Sequence, residues 1–160
     1  MLEALLPGAQ HLQNVHPLVV HFPLAFLSGA ALFYVLAWIV GRESWAWTGL
    51  WLLVLGTLSG VVAVGTGLYA EPGVMLARSV RAELLEVHER IMFGVAGLAT
   101  ALTLWAIARR PMPTRGRLAF ILLLLVLVAA MTRGGDYGGR MVYDYNAGGN
   151  ACGQPIEFTR

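Results

Sequence analysis

The chain has 160 residues, 58% of them hydrophobic and only 12% charged, with a mean hydropathy of +0.67. So little polar surface cannot coat a soluble globule, and the composition predicts an integral membrane protein. The net charge of +2 rests on eleven arginines and no lysine, and these cluster. The pI near 9.0 therefore reports membrane topology, and no basic stripe with interleaved aromatics points to nucleic acid.

Residues 1–15 carry Glu3 and no basic residue, and their apolar run breaks at Pro7-Gly8. The expectation is that no signal peptide is cleaved and that the first membrane helix serves as its own insertion signal. The single cysteine, Cys152, excludes an internal disulfide and a CxxCH haem attachment, leaving a free thiol or an intermolecular bond.

Crossing a hydrocarbon core about 30 Å thick takes about 20 apolar residues of helix. Four segments approach that length: residues 17–40, 47–69, 88–108 and 118–133. The predicted fold is an all-α integral membrane four-helix bundle. Residues 134–160, which hold seven of the nineteen glycines, follow as a glycine-rich tail or cap, expected either to be disordered or to be pinned over the outer surface by Tyr137, Met141, Val142, Tyr143 and Tyr145.

Between the third and fourth spans, residues 109–117 hold Arg109, Arg110, Arg115 and Arg117 and no acid. The positive-inside rule puts this loop in the cytoplasm. It follows that both termini are expected in the periplasm of a bacterial inner membrane. The segments on that outer side hold eight of the nine acids, all but Glu43. Ahead of the third span, Ser79 is a candidate helix cap and Glu83 lies near the first turn, so this helix is expected to start well before the membrane.

All four histidines, His11, His16, His21 and His88, fall on the outer side of this topology, although they come from two separate parts of the chain. An imidazole at a membrane edge is costly unless it meets protein, water, a metal or a cofactor. His16 and His21, five residues apart, point about 140° apart on one helix, so together they do not make a small-metal site. A haem takes its two axial ligands from different helices, and bis-His ligation suits electron transfer. His21 and His88 are the expected axial pair of a haem b, with the alternatives of two buried hydrogen-bonded histidines or of ligands to another metal, with His16 as second choice and with His16 and His11 as candidates should two haems be present. Taken alone, His16 reads as a cap before Pro17 and His11 as a surface residue. Pro23 cannot bond to the Val19 carbonyl and is expected to bend the helix and aim His21 inward.

Haem propionates at that level call for cations or hydrogen-bond donors, and Arg90, Arg133 and Arg140 are the candidates, each with the alternative of an ordinary solvated arginine. In the second span, Gly56 and Gly60 form a GxxxG pair beside a Ser59, Ala63, Gly67 row. This pattern fits close helix packing, room for a cofactor, or both. No GxSxG, HExxH or Walker loop, no paired intramembrane carboxylates and no carboxylate expected to be buried within a span occur, so no catalytic class is assigned and a charged relay of the pump type has no support.

His16-Pro17, Val20-His21-Phe22-Pro23, His88, Gly138-Gly139 and Val142-Tyr143 together resemble a family of small bacterial four-helix membrane proteins of unknown function. In that family an HPxxVHFP motif opens the first span and a Gly-Gly, Val-Tyr signature follows the last. The resemblance implies the four-helix fold and suggests a respiratory setting, without an established reaction. Arg140 within the signature and the Cys152-bearing end depart from the pattern.

The expected function is thus that of a b-type cytochrome-like electron-transfer protein, a subunit of a larger respiratory or photosynthetic complex. Its expected partners are the lipid bilayer and a membrane or periplasmic redox protein. The alternatives are a non-redox scaffold or accessory subunit, and an enzyme oxidising quinol at the outer face.

Overall fold

A computed structural model describes residues 15–74, 76–145 and 147 of the chain. Four helices in it are long and apolar enough to cross a membrane: His16–Val40, Glu43–Gly73, Arg78–Ala108 and Arg117–Tyr145. Among the described residues there is no strand. Successive spans pack against each other and the fourth closes the ring on the first, which sets the first and third diagonally across the bundle. Leu27, Ala30, Tyr34, Leu53, Leu102, Phe120, Leu124 and Leu127 fill the middle with almost no exposure. Leu18, Phe22, Leu58, Val61, Phe93, Leu104 and Val126 face outward, as a lipid-solvated surface requires.

The first two spans meet along a ladder of glycines. A Cβ placed on Gly49, Gly56, Gly60 or Gly67 would touch Tyr34, Leu27, Pro23 or His16 respectively. The steps of seven, four and seven residues in the second span are matched by the same steps, in reverse, in the first. An antiparallel pair with side chains of one helix seated on glycines of the other has this signature. Close packing is therefore what these glycines serve. Deeper in the bundle, the buried Thr57 and Thr103 hydroxyls bond at 2.7 Å and tie the second span to the third.

At the end of the bundle where the first span finishes, the Tyr34 hydroxyl donates to the Pro111 carbonyl at 3.0 Å, holding the loop between the third and fourth spans against the first. Phe120 packs edge-on to Tyr34 at 5.0 Å and to Trp105 at 5.5 Å. Gly41 and Gly116 take left-handed φ values of +71° and +77°, ending the first span and preceding the fourth.

The expected boundary at Arg133 is corrected: the last helix continues through Gly134, Gly135, Gly138 and Gly139 to Tyr145. The reason is tertiary. Phe120, Leu124, Leu127, Met131, Gly134, Gly138 and Met141 recur at alternating steps of four and three, and the glycines in this row let the third span approach closely. A Cβ at Gly134 would lie 2.6 Å from Met92 and 3.0 Å from Ile91. Met141 then joins Leu84 and Leu85 in a second small core, flanked by Leu76, Val80, Tyr137 and Ala147. Of the residues expected to pin a cap, Tyr137 and Met141 do pack there, from within a helix, whereas Val142, Tyr143 and Tyr145 are exposed.

The third helix begins at Arg78, with Ala77 at its N-cap, so Ser79 lies inside the first turn and caps nothing. A π-helical stretch, Arg81–Leu85, then turns Leu84 and Leu85 into the second core. His11 and Cys152 lie outside the described residues.

Candidate functional site

The first span starts with a short helical piece, His16–Val19, and resumes at His21. Pro23 is buried against Gly60, and His16, seven residues earlier, falls on the same face against Gly67. His21 is two residues from Pro23 and so points to the opposite side. It is exposed, with only a 3.4 Å approach of Nδ1 to the Leu18 carbonyl. The expectation that Pro23 aims His21 inward is therefore corrected: the proline itself occupies the inner face. His16, read from the sequence as a cap, is the half-buried, inward ring.

His16 Nδ1 lies 3.1 Å from Thr66 Oγ1, and that hydroxyl already donates to the Ala63 carbonyl at 3.0 Å. The Thr66 hydroxyl thus links the His16 ring to the second span, and the ring also hydrogen-bonds the Ala63 backbone. A Cβ on Gly67 would sit 3.0 Å from His16 Cε1, so a larger residue there would press on the ring.

His88 is held in the same manner from the other side of the bundle. Its Nδ1 lies 2.8 Å from the Gly134 carbonyl, which can only accept, so Nδ1 is the protonated nitrogen. Its ring rests on Gly138, where a Cβ would approach Cε1 to 3.2 Å. His16 and His88 thus lie at the same end of the bundle on diagonally placed spans, each seated on the next span, and His21 is exposed.

Around the pair lies a charged network. Arg81 is ion-paired with Glu71, joining the end of the second span to the start of the third. Glu89 lies within the fields of Glu71, Arg81, Glu86 and His88. Among the expected propionate partners, Arg133 bonds to Asp136 at 3.0 Å and to the Tyr137 hydroxyl at 3.2 Å, and its guanidinium lies 4.7 Å from the Tyr137 ring centre. Arg140 reaches Asp144 at 3.6 Å. Arg90 is exposed and has no acidic partner among the described residues.

The donor set can be tested against a haem. Metal-bound histidines ordinarily donate one ring N–H to a carbonyl or hydroxyl acceptor and coordinate through the other nitrogen. His88 has that arrangement on Nδ1, which makes Nε2 its basic nitrogen, and His16 is held by the Thr66 hydroxyl and the Ala63 backbone. Two imidazoles from two helices suit the axial positions of a haem. No group of three or more His, Cys, Asp or Glu side chains comes together among the described residues to hold a bare ion.

Thr66 under His16 and Gly134 under His88 are not evident as site residues from the sequence, and Gly67 and Gly138, evident there as packing and signature positions, prove to be the seats of the two rings. Their signal is the spacing of the two glycine rows, which continue the packing seams of their helices up to the histidines.

No curated protein and no solved structure matches the chain. The family model described as "Predicted membrane protein (DUF2231)" matches residues 12–151, which include every described residue of the histidine pair and its seats. The chain belongs to this family of predicted membrane proteins.

Proposed function

We propose that the protein is a b-type cytochrome-like electron carrier, with His16 and His88 as axial ligands of one haem at the histidine end of the bundle. The observation that supports this reading is the matched seating of the two rings at one end of the bundle. Each makes a hydrogen bond through Nδ1 to a neighbouring span and rests on a glycine of that span. His88 takes the role assigned from the sequence, and His16 replaces His21. Arg90 is the cation available to a propionate, whereas Arg133 and Arg140 are engaged with acids of their own helix.

A bound haem would supply a one-electron couple. The chain's own contribution is to orient the two imidazoles through their seats on the second and fourth spans. The histidine end then faces the periplasm, by the arginine-rich loop at the opposite end. A redox partner in a respiratory or photosynthetic complex would dock on that side. Purified protein from haem-sufficient cells tests the reading by its Soret band and pyridine haemochrome spectrum.

One observation favours the second reading, a non-redox accessory subunit. Gly94, Gly97 and Ala101 share an exposed face of the third span, and nothing lies within 4 Å of a Cβ on either glycine. Such a face suits close approach of a helix from another membrane subunit. Under this reading, His16→Ala and His88→Ala alter assembly and leave the spectrum of the complex unchanged.

A further inference from the structure

The two ends of the bundle treat their arginines differently. At the histidine end three of the five described arginines, Arg81, Arg133 and Arg140, are ion-paired with Glu71, Asp136 and Asp144, while Arg78 and Arg90 have no acidic partner among the described residues. At the opposite end Arg42, Arg109, Arg110, Arg115 and Arg117 have no acidic partner among the described residues. The one acid there, Glu43, accepts instead from Trp47 Nε1 at 3.1 Å. Five cations against one carboxylate, gathered on the ends of four short-looped helices, leave a strong local positive field.

Two further observations say what neutralises it. All five tryptophans of the chain, Trp38, Trp45, Trp47, Trp51 and Trp105, lie at this same end. Trp38, Trp47 and Trp51 are exposed at 45%, 38% and 63%. Exposed tryptophans next to the end of an apolar span mark the headgroup layer of a bilayer. Arg117, the first residue of the fourth span, has its Nε buried with no hydrogen-bond partner. Arg109 directly follows the third span, so the loop is too short to carry its cations away from the membrane surface.

From this we infer that the end formed by Arg42, Arg109, Arg110, Arg115 and Arg117 binds the phosphodiester headgroups of anionic phospholipids. The guanidiniums suit this ligand because their fork of donors can hold two phosphate oxygens at once. Arg110 is partly committed, its Nε donating to the Ile107 carbonyl at 3.1 Å. Arg115 and Arg117 flank Gly116, which packs on the Trp105 ring and so fixes the two cations beside the aromatic belt. The inference is independent of any haem.

The full chain, reconstituted in phosphatidylcholine bilayers, is probed with spin-labelled phosphatidylglycerol and spin-labelled phosphatidylcholine by electron paramagnetic resonance. The expected result is preferential immobilisation of phosphatidylglycerol, by about fivefold, equivalent to one arginine fully engaged with an anionic surface. The preference is expected to drop toward unity in Arg115→Gln/Arg117→Gln and to persist in Arg133→Gln/Arg140→Gln. It is also expected to weaken in the unaltered protein at 0.5 M NaCl, about the range where screening is short, a readout that needs no variant to fold. Equal immobilisation of the two lipids, or a preference indifferent to salt, overturns the inference. Competition by millimolar inorganic phosphate would reassign the site to free phosphate. Binding of polyglutamate without lipid preference would reassign it to an acidic protein.

Discussion

Gly56 is the point of closest approach between the first two spans, and adding one methyl there is a direct test of the ladder. The new Cβ would lie 2.7 Å from Leu27 Cδ2, 2.8 Å from Cγ and 3.0 Å from the Leu27 backbone nitrogen. Carbon atoms pack without repulsion at about 3.5–4.0 Å, so either the helices separate or Leu27 leaves its fully buried position. Overpacking of this kind costs about 1–3 kcal/mol, set against a gain of up to about 1 kcal/mol from replacing glycine by alanine within a helix. Gly65→Ala isolates that gain, because Gly65 lies in the same helix with nothing within 4 Å of its Cβ. The difference between the two variants, about 1–3 kcal/mol, is then the packing term. Reversible unfolding in mixed detergent and SDS micelles, followed by circular dichroism, measures it. Leu27→Ala combined with Gly56→Ala should recover part of the loss, since the smaller side chain makes room for the methyl. Gly56→Ala and Gly65→Ala of equal stability would refute the ladder.

Removing either hydroxyl of the Thr57 and Thr103 pair by valine should destabilise the bundle, with a coupling of about 0.6–1.7 kcal/mol in the double-mutant cycle. Independent effects of the two substitutions would contradict the bond. Tyr34→Phe deletes the tie to the Pro111 carbonyl and should cost about 0.5–1.5 kcal/mol by the same unfolding assay, with the ring packing on Phe120 retained. Long-range proton–nitrogen spectra of the metal-free chain should find His88 as the Nδ1–H tautomer. Gly138→Ala, by pressing on the His88 ring, should remove that tautomer preference at His88 and leave His16 unchanged.

The four membrane-crossing helices were legible from hydropathy and length alone, because lipid allows little else for 20 apolar residues. The end of the last helix was not, because glycines between Arg133 and Tyr145 read as breakers by local propensity. Their value is relational: Gly134 and Gly138 continue the seam begun at Phe120 and matter only opposite Ile91, Met92 and His88. The same logic explains the histidines. His21 lies next to Pro23 in sequence, yet a proline that packs on Gly60 fixes the inner face at Pro23 and at His16, seven residues and two turns earlier, and leaves His21 outside it. The mirrored steps along the first two spans carry this information in the sequence. Reading it requires pairing two helices, not inspecting one. His88 was found from one helix because its depth and its end of the bundle follow from topology.

The account's central claim is tested most directly by one absorption spectrum, taken on the intact protein and on three single variants purified from haem-sufficient cells. The intact protein and His21→Ala should show a Soret band with a reducible b-type α band, and His16→Ala and His88→Ala should lose the bis-His spectrum. A colourless intact protein, or a Soret band unchanged in both His16→Ala and His88→Ala, would contradict it.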